Sequence, residues 1–539
     1  MRMLKFCRKY VYEYKMLFFI YLFTVIVKTI ISFAVALLSG SFIDMLVSGN
    51  DKTILYKYCI AVMVLGVVSV LVNLINGYIG TKMQALTSYA ASKNIFEHMT
   101  KLPISYLNNQ DIAYLSQRIN TDTNGIFSFF IDTYISLYVS VCSLLISFAI
   151  IIRVDGRIAL LLGLLACVYC AMYKLFKKPL YNRMQDYKEK TAAFFGSYYE
   201  SMDSIGFIKN HSITDIYKER LDGSFLNVLG SLLSYQKIQM GFIGCDGILT
   251  TLSNLIIYLL GGVAILAGEV TIGIFTVILN LFGSLLSTIK FFLSYGKSYQ
   301  ETLVSFDRIT YILNVKPAAN GDKKIDAIRD IRLEKVSFSY NRKLISAFSY
   351  EFKRGNIYYI VGSNGIGKST LLNIILGQYI DEMNGKIYIN DIDMKDIDMQ
   401  HLKSRAMGFS EQETYLIADT LYNNLTLFGR DDEKMNSYND WLALSSYINR
   451  NENGLETEIN VQQNNLSGGE KQKISIIRQF LMNPDVMIFD EPMASLEHNS
   501  RVALKRILEE FKKDKIIIVV THDFSMLDEQ DIVIDMEKM

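Results

Sequence analysis

Residues 362–369 read Gly362-Ser363-Asn364-Gly365-Ile366-Gly367-Lys368-Ser369 and match the pattern GxxxxGK(S/T). They follow the apolar run Ile357 to Val361 and open a helical run, Thr370 to Leu376. Glycines let backbone N–H groups close round phosphates, and the N-terminus of the following helix adds partial positive charge. In this pattern the lysine reaches the terminal phosphates and the serine hydroxyl can bind Mg²⁺. The stretch therefore predicts a strand, a phosphate-binding loop and a helix.

Two acidic residues, Asp490 and Glu491, follow a second apolar run from Val486 to Phe489. A third β-rich run, Ile516 to Val520, and helical patterns between the runs indicate an α/β domain with a largely parallel sheet. Because the carboxyl ends of parallel strands share one edge, both acids are expected near the phosphates. Asp490 would hold Mg²⁺, directly or through water, and Glu491 would orient or deprotonate an attacking water. Alone, such a pair usually marks only a strand that meets a loop.

The first 300 residues carry a different pattern. Half of the 539 residues are apolar and only 20% are charged, which is more apolar than ordinary soluble domains. Apolar runs long enough to span a membrane lie at 16–39, 55–79, 127–152, 158–176, 241–267 and 272–296. The sequence therefore predicts a polytopic α-helical membrane domain with six transmembrane helices. The 55 Lys and Arg nearly cancel the 54 Asp and Glu, so nucleic acid is not an expected partner.

Basic residues are concentrated in the N-terminal segment and in the long connection 177–240, whereas the alternate connections carry few. By the positive-inside rule, both termini and the α/β domain are expected in the cytoplasm, with the protein in the cytoplasmic membrane. The connections 80–126 and 177–240 show helical spacing of apolar residues and predict two long cytoplasmic hairpins. We expect their tips, near Asp111 to Gln117 and Ser212 to Lys218, to dock on the α/β domain close to Gln412.

A domain boundary is expected at Lys316 to Asp322. Pro317 ends a helix, and Gly321 with its Asn and Asp neighbours makes a turn. The prediction is a transmembrane domain at 1–316, a linker at 317–325 and a P-loop α/β domain at 326–539.

A second glycine-bearing turn, Leu466-Ser467-Gly468-Gly469-Glu470-Lys471-Gln472, opens another helical run more than 90 residues after the phosphate loop. It is a second helix N-terminus able to meet a phosphate. With this motif the chain resembles an ATP-binding cassette (ABC) transporter of the exporter type, and the similarity covers both halves. In that family the signature turn of one cassette, here Leu466 to Glu470, caps the ATP held by another. The resemblance therefore implies a dimer, with ATP and Mg²⁺ as cofactors.

The resemblance also implies roles for single residues. Tyr340 is similar to the aromatic residue that stacks on adenine, although a plain strand shows the same alternation. Gln412 is similar to the Q-loop glutamine, which contacts Mg²⁺ and the membrane domain, and His522 to the switch histidine, which contacts the γ-phosphate. The ATP-binding set is Tyr340, Gly362, Ser363, Asn364, Gly365, Ile366, Gly367, Lys368, Ser369 and Thr370. The catalytic set is Glu491, His522 and Gln412, and the Mg²⁺ set is Ser369, Gln412 and Asp490.

Two stretches depart from the family pattern. Ala494-Ser495-Leu496-Glu497 stands where the family has Ser-Ala-Leu-Asp, and Asn460-Val461-Gln462-Gln463 replaces a Glu-containing stretch before the signature. Their effect on communication between the two ATP sites is left open. Glu470 stands for the commoner glutamine of the signature and is a mild change.

Charged residues also lie inside or near the predicted spans. A charge there is costly unless it faces protein or a water-filled cavity. Lys28 and Asp246 are therefore candidates for lining a substrate pathway. Asp132 and Lys290 fit better with an interfacial or snorkelling position.

The resemblance implies a half-transporter that dimerises in the membrane lipid and couples ATP hydrolysis to export of a substrate across the membrane. Peptide, lipid and amphipathic drug are all compatible substrates, and a small secreted, bacteriocin-like peptide is preferred. A homodimer is expected. The alternative is a heterodimer in which this chain is the mainly regulatory, weakly hydrolytic partner; Leu496-Glu497 favours it, whereas Glu491 and His522 argue against it.

Overall fold

The computed structural model describes residues 2–49, 52–108, 110, 112–154, 156–339, 343–429, 435–460, 466–522, 527 and 531–538. The chain divides into two compact units. The first comprises Met1–Glu97 and Ala113–Asn314, and the second comprises His98–Ile112 and Val315–Met539. A short segment from the N-terminal half of the sequence therefore belongs to the C-terminal unit.

Helices account for most of residues 2–314. In chain order they are α1 (Arg2–Glu13), α2 (Lys15–Val47), α3 (Lys52–Met99), α4 (Ile104–Asn108), α5 (Ile112–Ser128), α6 (Ile135–Val154), α7 (Gly156–Asp203), α8 (Ile205–Asn210), α9 (Thr214–Leu266) and α10 (Ile272–Asn314). A π-helical segment, Phe129–Tyr134, joins α5 to α6.

Five helical stretches among the described residues are long and apolar enough to cross a membrane. They are Lys15–Val47, Leu55–Met99, Ile119–Arg153, Thr214–Leu266 and Ile272–Asn314. The remaining predicted run, 158–176, lies in α7, where several side chains are not described. The predicted helical membrane domain is confirmed. Because a helix rises about 1.5 Å per residue and about 20 residues cross a bilayer, the 48 residues of α3 extend well beyond one.

The first hairpin tip differs from its predicted position. Ile112 to Gln117 lie in α5, and Asp111 lies outside the described residues. The turn instead contains α4, which follows Pro103. Proline is accommodated at the start of a helix but not in its interior, so Pro103 separates α3 from a new short helix.

The second unit contains two sheets. Their strands are β1 (Asp330–Ser339), β2 (Lys343–Lys353), β3 (Asn356–Val361), β4 (Asn384–Ile389), β5 (Ile392–Asp393), β6 (Met407–Ser410), β7 (Val486–Asp490), β8 (Ile516–Val520) and β9 (Ile532–Asp535). The order β6-β7-β8-β3-β9 forms a parallel sheet, and β2-β1-β4-β5 forms an antiparallel one.

Helices cover the parallel sheet. They are α11 (Lys368–Ile375), α12 (Met399–Arg405), α13 (Leu421–Thr426), α14 (Met435–Trp441), α15 (Ser445–Arg450), α16 (Gly468–Met482) and α17 (His498–Phe511). Every residue of β7 and β8 is buried, and their successive apolar residues alternate between two apolar clusters. Strands buried on both faces read as continuous apolar runs. The predicted α/β cassette is confirmed.

The strand order decides where the site lies. β6, β7, β8 and β3 are neighbours, although more than 70 residues separate β6 from β7 in the sequence. Because these four strands are parallel, the segments that follow Ser410, Asp490, Val520 and Val361 all leave the sheet at the same edge.

Candidate active site

The phosphate loop connects β3 to α11 as predicted. Gly367 is the N-cap of α11 and has a φ of 112°, in the left-handed region that favours glycine. Lys368 is buried, and its ammonium donates hydrogen bonds to the carbonyl oxygens of Gly362 at 2.8 Å and Ser363 at 3.1 Å. A lysine has three donors, so one ammonium proton is left for a phosphate oxygen. The lysine thus holds the loop closed and faces the place where its ligand would bind.

Asp490 ends β7 beside this loop. The residue is only 5% exposed and its carboxylate accepts a hydrogen bond from the Ser369 hydroxyl. Its Oδ1 atom has no hydrogen-bond partner among the described residues. A buried carboxylate oxygen without a partner is costly, and a serine hydroxyl with a carboxylate is a donor set that suits Mg²⁺. Ser369 and Asp490 therefore fit the predicted divalent cation.

Charges in this region are poorly hydrated. Burial raises the pKa of the Asp490 carboxyl, the hydrogen bond from Ser369 opposes this rise, and the charge of Glu491 adds to it. Burial also lowers the pKa of the Lys368 ammonium, against the attraction of Glu491 and Asp490. A ligand of opposite charge would stabilise the charged form of each group. The arrangement therefore favours a cation at Asp490 and phosphates at Lys368.

Glu491 lies at the centre of the catalytic set. Its Oε2 accepts a hydrogen bond from the Gln412 side-chain amide at 3.0 Å, and its Oε1 is 2.7 Å from Nε2 of His522. The three residues come from the segments that follow β7, β6 and β8. The structure thus brings together the glutamate, glutamine and histidine that the sequence indicated, with both carboxylate oxygens of Glu491 held.

The backbone at Glu491 is strained. Its φ is 51°, a left-handed conformation that a non-glycine residue adopts only when its surroundings enforce it. Its N–H donates to the carbonyl oxygen of Val520 at 3.0 Å, and its own carbonyl accepts from the Gln472 side chain at 2.7 Å. Neighbouring strand β8 and helix α16 therefore fix the orientation of the carboxylate.

The signature turn opens α16 through a capping box. The Ser467 hydroxyl accepts from the N–H of Glu470, and the Glu470 carboxylate accepts from the N–H of Ser467 at 2.8 Å. The other carboxylate oxygen of Glu470 accepts from Arg450 at 2.7 Å. Glutamate thus has a local function at the position where the family more often has glutamine.

Sequence reasoning missed one residue of this network, Gln472. It is buried on α16. Its side-chain amide N–H donates to the Glu491 carbonyl oxygen, and its side-chain oxygen accepts a hydrogen bond from the N–H of Ser495 at 3.0 Å. Gln472 therefore joins the signature helix to the segment after Glu491. The sequence signal that could have indicated Gln472 is its long amide side chain, which lies between Lys471 and Lys473 one turn after the start of a largely apolar helical run.

Several predicted residues are not part of this cluster. Tyr340, the predicted adenine contact, and Val461, in the altered stretch before the signature, lie outside the described residues. Asn364, Gly365, Ile366 and Thr370 lie in the phosphate loop and the first turn of α11. Glu497 is exposed and forms the N-cap of α17 without a side-chain cap bond.

The candidate pathway residues lie in the first unit. Asp246 on α9 accepts a hydrogen bond from the Tyr169 hydroxyl of α7 at 3.0 Å, and that hydroxyl is 3.1 Å from Oγ1 of Thr250. Lys28 is exposed on α2. Asp132 lies in the π-helical segment, and the side chain of Lys290 is not described. Whether Lys28 and Asp246 line a pathway stays a prediction.

Comparison with known proteins extends over nearly the whole chain. The family model of the ABC transporter transmembrane region matches residues 18–289, and the ABC transporter model matches residues 345–494. YgaD of Bacillus subtilis, assigned to multidrug export by its name, is 24% identical over 98% of this chain and 93% of its own length. An ATP-dependent lipid A-core flippase of Vibrio vulnificus is 22% identical over 81% of this chain and 76% of its own.

A solved structure shows the same fold. A bacterial Atm1-family ABC exporter with ATP bound matches with a TM-score of 0.80 and 17% sequence identity, over 98% of this chain and 93% of that chain. Together with the two family models and the site geometry, this leads to one conclusion. The chain belongs to the ABC transporter family and is an ATP-hydrolysing membrane transporter with its transmembrane region and its ATP-binding cassette fused in one polypeptide.

Proposed function

We propose that this protein is a homodimeric exporter that uses Mg²⁺ and ATP to move an amphipathic lipid-like or drug-like molecule out of the cytoplasm. The substrate class rests on the relatives, whose names refer to multidrug export and to lipid A-core. They give no support to the secreted peptide preferred from the sequence, which stays an alternative. We also propose that Lys28 and Asp246 line the substrate pathway.

In this proposal the residues of the site bind Mg²⁺, position the phosphates and activate water. Ser369, Asp490 and Gln412 would hold Mg²⁺, which would supply positive charge at the phosphates. Lys368 and the loop N–H groups position the terminal phosphates. Glu491 orients and deprotonates the attacking water, and His522 holds Glu491 in place and contacts the γ-phosphate.

The observation that carries the transport proposal is the position of α4. Ile104 packs against the apolar cluster that joins α11 to the two sheets, and the Ser105 hydroxyl donates to the Glu382 carboxylate. The N–H of Ala318 donates to the carbonyl oxygen of Lys101 at 2.8 Å. A segment that connects two membrane-spanning helices is thus built into the cassette. Such a contact lets a change in the cassette reach the spans.

The second hairpin tip supports a dimer. Helix α8 lies between α7 and α9, and its Ile205 and Phe207 side chains are 60% and 55% exposed. Large apolar side chains at an exposed turn suit a protein contact. We propose that α8 docks on the cassette of a second copy, which also supplies the signature turn over each ATP.

Helix α1 supports the proposed orientation. Its exposed side carries Arg2, Lys5, Arg8 and Lys9, directly before the first span. Basic residues flank spans preferentially on the cytoplasmic side. The N-terminus and the cassette are therefore proposed to lie in the cytoplasm.

Replacing Ile104 by aspartate tests coupling. The charge would enter the apolar cluster beneath α4, so transport in proteoliposomes should fall at least about tenfold. Lys368, Asp490 and Glu491 are unchanged, so ATP affinity should fall much less than transport. Asn108→Asp adds the same charge at an exposed position of the same helix and is the control. Normal transport by Ile104→Asp would reject the coupling role of α4.

The chain purified alone should form a two-chain particle in nanodiscs and hydrolyse ATP, because each nucleotide needs Lys368 of one copy and Ser467 of the other. Mass measurement together with ATPase assays checks this. Full ATPase activity of a strictly monomeric particle contradicts the proposal. Activity that appears only after a different half-transporter is added favours the heterodimer.

Transport assays in proteoliposomes distinguish the candidate substrates. Inside-out proteoliposomes should accumulate a fluorescent phospholipid or an amphipathic dye when ATP is added, and Glu491→Gln proteoliposomes should not. A labelled secreted-type peptide is tested in parallel. Accumulation of the peptide alone would replace the lipid-like or drug-like assignment with the peptide one.

A further inference from the structure

Helix α1 has two chemically different sides. Met3, Cys7, Tyr10 and Val11 are buried. Arg2, Lys5, Arg8 and Lys9 are exposed. With about 3.6 residues per turn, the two sets project from opposite sides of the helix. We call the exposed set the basic face of α1.

The buried side is fixed to three other helices. The Phe6 ring lies 6.2 Å from that of Phe127 on α5 and 5.6 Å from that of Phe306 on α10. The Tyr10 hydroxyl donates to Asn94 on α3 at 3.1 Å. Of these helices, α3 and α5 flank the segment that contains α4, and α10 leads into the cassette. A change in the position of α1 therefore affects α3, α5 and α10, which connect the spans to the ATP site.

The basic face lacks compensating charge. None of its four side chains forms an ion pair within the part of the chain that the structure describes; Lys9 lies over the ring of Tyr10 at 5.3 Å. Glu13 is the single acidic residue of α1, so the helix has an excess of three positive charges. Exposed cations of this density attract an anionic partner.

The location of α1 identifies that partner. Only Tyr14 separates α1 from α2, and the first turns of α2 expose Met16 at 75% and Phe19 at 66%. These side chains suit contact with lipid tails, so α1 lies at the boundary between the apolar interior and water. At this depth the basic face meets lipid headgroups.

We propose that the basic face of α1 binds anionic phospholipid headgroups and that this binding raises the rate of ATP hydrolysis. The headgroups complement the charges of Arg2, Lys5, Arg8 and Lys9. Bound lipid holds α1 at the membrane boundary, and α1 in turn holds α3, α5 and α10. Lipid binding that differs between two arrangements of these helices shifts their populations.

The test compares ATPase rates in nanodiscs of phosphatidylcholine with increasing fractions of phosphatidylglycerol, up to about 30 mol%. The ATPase rate of the unmodified chain should rise at least about threefold over this range. The variant Arg2→Gln, Lys5→Gln, Arg8→Gln, Lys9→Gln should show a flat profile. The control Lys324→Gln, Lys386→Gln, Lys395→Gln, Lys513→Gln removes the same charge from exposed positions of the cassette and should respond normally.

Two further measurements separate lipid contact from damage to the fold. The exchange Arg2→Lys, Lys5→Arg, Arg8→Lys, Lys9→Arg keeps every charge and should keep the response. Phosphatidylglycerol retained by the detergent-purified protein, measured by native mass spectrometry, should fall in the glutamine variant alone. About 0.5 M salt should weaken the response, since it screens exposed charges.

The proposal is overturned if the unmodified chain does not respond to phosphatidylglycerol, or if the glutamine variant responds as strongly. Equal loss of response in the cassette control would also overturn it, because net charge and not the basic face would then be responsible. Each result can be obtained without knowing the transported substrate, so failure here leaves the proposed export function intact.

Discussion

Replacing Glu491 by glutamine is expected to lower the rate of ATP hydrolysis at least about 100-fold, since a positioned general base contributes a factor of this size. The amide has the same shape as the carboxylate and can still contact Gln412 and His522, which lie at 3.0 and 2.7 Å. It cannot take a proton from water. ATP should therefore still bind, and the closed dimer with bound ATP should accumulate.

ATPase assays and ATP titration of purified Glu491→Gln check this expectation. Glu497→Gln is the matched control, because Glu497 is exposed in the same connection between β7 and α17 and has no cap bond to lose. Its hydrolysis should stay near normal. Near-normal turnover of Glu491→Gln would instead remove Glu491 from its catalytic role.

Replacing Lys368 by alanine is expected to weaken ATP binding at least about tenfold, because a charge-assisted hydrogen bond contributes about 1.5–3 kcal/mol. The change also removes the hydrogen bonds to the carbonyl oxygens of Gly362 and Ser363, which hold the phosphate loop. Binding of a fluorescent ATP analogue measures the loss. The rate of ATP hydrolysis should also fall, except at saturating concentrations of ATP.

Lys368→Met distinguishes the effect of the lost charge from the effect of lost side-chain packing, because methionine fills similar space but has no hydrogen-bond donor. It should bind ATP as weakly as the alanine variant if charge dominates. Lys513→Ala removes an exposed lysine of the cassette and should bind normally. ATP affinity of Lys368→Ala equal to that of the unmodified chain would contradict the assignment of the loop.

Local sequence signals predicted the elements of the site well. The run Ile516 to Val520 is β8 with the same bounds, and β7 extends one residue further than predicted, to Asp490. The turn before Gly468 opens a helix as expected. These features depend on apolar periodicity, glycine conformation and capping residues, which act over a few residues and are therefore readable from the chain.

The first hairpin shows where local signals were insufficient. The helical pattern continues through 80–126 and predicts a tip near Asp111 to Gln117, whereas in the structure α3 ends at Met99, before Pro103, and α4 forms the contact. Ile104 gives no sign in the sequence that it packs against the cassette. Its partner cluster comes from residues more than 200 positions away, such as Ile328 and Leu371.

The membrane helices, the α/β cassette, the phosphate loop and the candidates Glu491, Gln412 and His522 could all be predicted from sequence patterns. The contacts among these three side chains, the hydrogen bonds of Gln472 that join α16 to Glu491 and the position of α4 in the cassette unit become visible only in the folded chain. The difference lies in the range of the interactions. Helix and strand formation depend on residues that are neighbours in the sequence. Strand order depends on packing of the whole sheet, and it places the ends of β6, β7 and β8, at Ser410, Asp490 and Val520, along one edge.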